Sequence, residues 1–189
     1  EEPSPNSYII MITNRPKCLL NTIYSRCQVI NIPSLQIDDL NEWLINNGVS
    51  DVNALDFPSF TSPLKILEEL ENNQHLNFKQ FRKIITEFIF NNSDTNSTIK
   101  NIISLDIDLI MKINYLIEFL KIILKSRLLS EDLSGVFKDF NSSNFNNLKI
   151  SNLMNELNAL RYDYFKVPQI NETHVLNYYL SELKNSIKI

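Results

Sequence analysis

The chain has 189 residues, of which 43% are hydrophobic, enough to bury a core in one or two domains. Its formal net charge is −4 at pH 7, and its sequence pI is about 5.2. This balance argues against a dedicated nucleic-acid-binding domain, because such domains usually carry a basic face. Any contact with DNA is expected to be local or shared with partners.

The glycines and cysteines exclude two kinds of site. The two glycines, Gly48 and Gly135, are not followed by a Lys-Ser or Lys-Thr pair, so this sequence has no glycine-rich loop of the kind that binds phosphates. Cys18 and Cys27 are nine positions apart, without a second pair or a nearby histidine, which fits neither a zinc site nor a disulfide framework. We expect both cysteines to be reduced, buried thiols, and we expect no metal site.

The first part of the chain, residues 1–33, is predicted to be the remnant of an α/β domain. The continuous apolar run 8–13 is typical of a strand buried on both faces of a parallel sheet. A short helix over about 17–24 and a second strand over 29–32 are expected to follow it. Because two strands do not make a stable sheet, we expect the chain to be the C-terminal part of a longer protein.

The second part, residues 34–74, is predicted to be a small domain of three helices. Asp38 and Asp39 complement the start of a helix that ends near Gly48, since Asn-Gly is a common helix end. Short helices are expected over 51–56 and 62–72. Ser62 is the predicted N-cap of the last one, because Pro63 then occupies the first helical position.

The third part, residues 75–189, is predicted to be a helical bundle, which makes the fold class mainly α. Apolar residues recur at three- and four-residue spacing over 78–89, 109–123, 153–164 and 175–183. The most apolar stretch, 105–129, carries seven charged residues, too many for a membrane span. Without a recognisable signal peptide, the protein is expected to be cytoplasmic.

The order of these motifs resembles the clamp-loader branch of the AAA+ ATPases. An apolar strand leads into residues 13–16, then a short helix, the tripeptide Ser25-Arg26-Cys27, a second strand, and a helical lid that contains residues 59–63. The similarity is specific at the Ser-Arg-Cys motif, moderate in the lid and only architectural in the bundle. In that family, the first part belongs to the AAA+ domain, the second is the lid and the third is the collar domain.

The resemblance implies that Arg26 is an arginine finger, which projects into the ATP site of an adjacent motor subunit. It also implies that Ser25 and Cys27 hold the turn that carries this arginine. The chemistry suits arginine: phosphoryl transfer spreads charge over the γ-phosphate oxygens, and a guanidinium supplied by a neighbour accelerates the transfer about a thousandfold or more. The guanidinium of arginine presents paired N–H donors, which the ammonium group of lysine lacks.

The resemblance also locates the positions that would contact the subunit's own nucleotide. Thr13 and Asn14 fall at the sensor 1 position, whose polar side chain normally faces the γ-phosphate. In motor subunits the lid carries a glycine, a serine and then a sensor 2 arginine, but here Thr61 replaces the glycine and Leu64 occupies the arginine position. This departure implies a subunit that does not use its own nucleotide, and we expect no cofactor in this chain.

As a non-motor subunit, the chain would join the gamma/tau and delta subunits of the bacterial DNA polymerase III clamp loader in a hetero-pentamer. It would meet the sliding clamp and primer-template DNA only through that assembled complex, and it would have no activity alone. Two other functions stay open. One is an ATP-hydrolysing subunit of the gamma/tau type, with a P-loop outside this sequence. The other is an unrelated helical adaptor that binds a partner helix in an apolar groove.

Overall fold

The computed structural model describes residues 6–13, 19–33, 35–91, 93–129, 145–166 and 169–187. The chain divides into two compact units, Glu1–Leu35 and Gln36–Ile189. Within the described residues all regular structure is helical, apart from one isolated bridge between Phe145 and Ile187. The predicted mainly α fold class is therefore confirmed, whereas the three predicted domain boundaries stay predictions.

The first unit contains one short helix, α1 (Asn21–Tyr24). Neither apolar run forms a strand, so the prediction of strands over 8–13 and 29–32 is wrong for this chain. Tyr8 and Ile12 are each 92% exposed, and Ile32 is 87% exposed. A strand needs a paired neighbour to take its backbone hydrogen bonds, and the described residues of this unit supply none.

The described part of the second unit contains seven α-helices and two single 3-10 turns. In chain order the helices are α2 (Ile37–Asn46), α3 (Pro63–Glu71), α4 (His75–Phe90), α5 (Thr95–Ile103), α6 (Leu109–Leu129), α7 (Asn147–Asp163) and α8 (Glu172–Asn185). The 3-10 turns are Ala54–Asp56 and Tyr164–Lys166. We call α4–α8 the bundle. None of the described helices is both long and apolar enough to cross a bilayer.

Side-chain caps explain where several helices begin. Ser62 accepts a hydrogen bond from the Lys65 N–H at 3.4 Å, as predicted for an N-cap followed by Pro63. Asp38 and Asp39 lie in the first turn of α2, also as predicted. The short helix expected over 51–56 is only the 3-10 turn Ala54–Asp56.

One helix of the bundle, α5, was not predicted. Its apolar positions are few, and it spans only nine residues. Its start is nevertheless encoded locally, because the Asp94 carboxylate accepts from the Ser97 N–H at 3.1 Å. Ile99 and Ile102 then face the interior and are buried.

The second unit has two separate hydrophobic cores. The small helical core consists of Leu44, Ala54, Phe57 and Ile66, which belong to α2, α3 and the segment between them. The bundle core is much larger and is centred on α6, ten of whose residues are buried, among them Phe119, Leu120 and Ile123. Since the two cores are distinct, the join between them depends on other contacts.

Candidate functional site

The tripeptide Ser25-Arg26-Cys27 forms the turn that ends α1. The Ser25 N–H donates to the Asn21 carbonyl at 3.0 Å, and the Arg26 N–H donates to the Ile23 carbonyl at 3.1 Å. The Ser25 hydroxyl closes the same turn by donating to the Thr22 carbonyl at 3.2 Å. Local backbone hydrogen bonds therefore set the direction in which the chain leaves the helix at Arg26.

The side chains of this turn are exposed. The Arg26 guanidinium, on a long flexible stem, is open to a ligand that approaches from outside the chain. Cys27 is a free, exposed thiol, so the prediction that it is buried is wrong. The predicted strand over 29–32, which would have brought neighbouring residues into a sheet, does not form. Cys18 lies outside the described residues.

The positions implied for nucleotide sensing are found in both units. Thr13 is exposed in the first unit, and Asn14 lies outside the described residues. Leu64 is the second residue of α3, in the second unit, and is 74% exposed. An isobutyl group offers no hydrogen-bond donor, so the Leu64 side chain cannot bind a phosphate as an arginine would.

A polar network that the sequence did not predict attaches the loop before α3 to the bundle. The Ser59 N–H donates to Glu118 Oε1 at 3.1 Å, and Lys121 Nζ donates to the Ser59 hydroxyl at 2.7 Å. Lys121 Nζ also lies 3.6 Å from Glu118 Oε2. Ser59 and Glu118 are 59 positions apart, so periodicity in the sequence gave no signal for this contact.

A buried cation, Arg82, lies on α4 of the bundle. Arg82 is 3% exposed, and its guanidinium lies 5.1 Å from the ring centroid of Phe78. Burial lowers the pKa of Arg82 to about 10, while the nearby Asp56 carboxylate acts in the opposite direction. Arg82 therefore stays protonated at neutral pH, as a cation held between an aromatic face and an acid.

Tyr115 on α6 lies at the centre of an aromatic cluster beside this network. Its ring centroid is 4.9 Å from that of Phe78, 5.6 Å from that of Phe81 and 6.5 Å from that of Phe60. Burial raises the pKa of Tyr115 to about 12, and the charges of Glu69 and Asp108 add to the effect. The described residues contain no group of three or more histidine, cysteine or carboxylate side chains placed to hold a metal ion.

Comparison with known proteins finds similarity in part of the chain. Residues 1–36 match the sequence model of the family described as DNA polymerase III, delta subunit. The chain is also 34% identical over 73 residues to DNA polymerase III subunit delta' of Bacillus subtilis (strain 168). That alignment covers 39% of this chain and 22% of the Bacillus protein, so the matched stretch is about a fifth of the relative's length. No solved structure matches the chain.

The family match includes the whole tripeptide Ser25-Arg26-Cys27, the turn whose geometry is given above. The motif order read from the sequence and the two matches agree on the same group of replication proteins. Residues 1–36 are thus similar to the DNA polymerase III delta-subunit family, and the chain is similar over 73 residues to a DNA polymerase III subunit delta'.

Proposed function

We propose that this chain acts in DNA replication as a non-motor subunit of the DNA polymerase III clamp loader. In this proposal Arg26 reaches the ATP site of a neighbouring ATPase subunit and stabilises the transferring phosphoryl group. The observation that carries the proposal is the position of Arg26: it lies within the segment that matches the family, and it is exposed on a hydrogen-bonded turn.

The chemistry of the exposed arginine supports this role. In phosphoryl transfer the developing charge is spread over the γ-phosphate oxygens, and a guanidinium presents several N–H donors to two of them at once. A turn held by backbone hydrogen bonds limits the conformations that Arg26 must give up when it binds. A residue that serves a neighbour's site needs to be exposed in its own subunit, as Arg26 is.

The chain's own residues support a subunit that does not hydrolyse ATP itself. Leu64 stands where the lid of a motor subunit carries arginine. Because Leu64 is exposed on the first turn of α3, an arginine at this position would be free to reach a phosphate. This replacement favours the non-motor role over the gamma/tau type.

The bundle is proposed to be the collar through which the subunit assembles with the gamma/tau and delta subunits. Sliding clamp and primer-template DNA would be met through the assembled pentamer, in the cytoplasm. Three exposed leucines at the bundle surface, Leu128, Leu129 and Leu148, are 57–71% exposed and available for subunit contacts.

Native mass spectrometry tests this proposal. The native gene product, mixed with the gamma/tau and delta subunits of the same organism, is expected to give a complex of five subunits that contains one copy of this chain. Absence of any complex at micromolar concentration would contradict the proposal and leave the helical adaptor as the better description. A complex with several copies of this chain and intrinsic ATP hydrolysis would instead indicate the motor type.

A further inference from the structure

The small helical core and the bundle are connected along the chain by a short segment. They form two separate clusters of buried residues, and the chain passes from α3 to α4 through only the three residues 72–74. Asn73 in this connection has a left-handed backbone conformation, with φ of 54°, which asparagine adopts more readily than most residues. A short connection of this kind directs the chain but does not by itself fix how α2 and α3 lie against the bundle.

A second attachment comes from the loop before α3. Glu118 on α6 is 5% exposed, and it accepts the Ser59 backbone N–H at 3.1 Å. Lys121, one turn further along α6, donates to the Ser59 hydroxyl at 2.7 Å and lies 3.6 Å from the Glu118 carboxylate. We call Ser59, Glu118 and Lys121 the latch.

The latch is built on a buried carboxylate. A hydrogen bond from a backbone N–H to a carboxylate is charge-assisted, and the burial of Glu118 strengthens it because water has less access to the carboxylate. The neighbouring apolar contact is looser: the rings of Phe60 and Tyr115 lie 6.5 Å apart, and Phe60 is 49% exposed. The loop is therefore held against α6 by polar contacts that a single change at Glu118 weakens.

We propose that the latch fixes the orientation of α2 and α3 relative to the bundle, and that Glu118 is the positioning residue on which it depends. With the latch closed, α2–α3 and the bundle move as one body. With it open, α2 and α3 keep their own core and pivot about the connection at Asn73. This inference concerns the second unit alone and does not depend on the role proposed for Arg26.

Paired spin labels test the latch. In a background with Cys18 and Cys27 replaced by serine, nitroxide labels at Glu42→Cys on α2 and Asn155→Cys on α7 report the distance between the two parts; both positions are exposed. Glu118→Gln is expected to broaden a narrow distance distribution. Glu87→Gln, which changes an exposed carboxylate on α4, is the matched control and is expected to leave the distribution unchanged.

Amide hydrogen exchange on the same variants separates a lost latch from a lost fold. In Glu118→Gln the Ser59 amide is expected to exchange about tenfold faster or more, because a charge-assisted bond becomes a neutral one. The amides of Leu44 and Ile66 are expected to keep their protection. Ser59→Ala, which retains the N–H donor to Glu118, is expected to broaden the distribution less than Glu118→Gln does.

Two results would overturn the inference. An unchanged distance distribution in Glu118→Gln would show that other contacts fix the orientation, whatever the Ser59 amide does. Loss of protection at Leu44 and Ile66 together with Ser59 would show that Glu118 stabilises the small helical core itself and not its orientation.

Discussion

Replacing Glu172 with glutamine probes the buried ion pair that joins α6 to the start of α8. Lys112 is 3% exposed, and its Nζ donates to Glu172 Oε1 at 2.7 Å, while the glutamate side chain is 32% exposed. Glutamine keeps the shape and one acceptor oxygen but removes the negative charge. The buried ammonium of Lys112 then loses the charge that compensates for its removal from water.

The loss of free energy of unfolding expected for Glu172→Gln follows from the exposure of Lys112 and Glu172. Removing one member of a fully buried ion pair costs about 3–5 kcal/mol, and the partial exposure of Glu172 places this pair at the lower end, near 3 kcal/mol. Part of that figure comes from the helix dipole, because Glu172 is the first residue of α8 and favours the helix start by about 0.3–1 kcal/mol.

The converse change, Lys112→Met, is expected to lower the free energy of unfolding by about 1 kcal/mol or less. Methionine fills similar space without a charge to desolvate, and Glu172 retains access to water. In the double variant Lys112→Met/Glu172→Gln, the loss is expected to fall below the sum of the two single losses by about 2 kcal/mol. The asymmetry between the two single variants is thus a direct consequence of which charge is buried.

Urea unfolding followed by circular dichroism at 222 nm measures these differences, since the fold is mainly helical. Glu42→Gln, an exposed carboxylate on α2, is the control and is expected to change the free energy of unfolding by less than about 0.5 kcal/mol. The reasoning would be refuted if Lys112→Met destabilised the protein as much as Glu172→Gln, or if the two changes were additive.

The remaining predictions concern a buried tyrosine and a helix cap. In the folded chain Tyr115 holds its proton to about pH 12, but in the unfolded chain it ionises near pH 10, so stability falls with rising pH across that window. Tyr115→Phe has no ionisable group at this position and does not lose stability in this way. The difference in free energy of unfolding between this variant and the unsubstituted chain should therefore shift in favour of the variant by at most about 2 kcal/mol between pH 9 and 12. A difference that stays constant with pH would contradict the raised pKa of Tyr115. Asn171 caps α8 by accepting a hydrogen bond from the His174 N–H at 3.1 Å. Asn171→Ala should lower the free energy of unfolding by about 1 kcal/mol and Asn171→Asp by much less, as measured by thermal unfolding. Equal losses in the two Asn171 variants would rule out the cap as the cause.

The helices were largely predictable from the sequence because their signals are local. Apolar spacing marks α4, α6, α7 and α8, and the pair Ser62-Pro63 marks the start of α3. The strands over 8–13 and 29–32 were not predictable in the same way, because a strand exists only with a paired neighbour and composition alone does not supply one.

The candidate site was likewise predictable where its signals are local and not where it depends on tertiary packing. The turn at Arg26 follows from a short helix and its backbone bonds, so the sequence located it, whereas the exposure of Cys27 depended on packing that did not form. The latch joins Ser59 to Glu118 across 59 positions. Such a pair is brought together by the tertiary fold, and neither residue stands out in its own segment.

The most direct measurement of the central claim is single-turnover ATP hydrolysis by the assembled clamp loader that contains Arg26→Ala. If Arg26 completes a neighbour's site, hydrolysis at that site is expected to slow by about a thousandfold or more, with assembly intact by native mass spectrometry. Arg161→Ala, which removes another exposed guanidinium, serves as the control. Unchanged hydrolysis in a fully assembled Arg26→Ala complex would contradict the account.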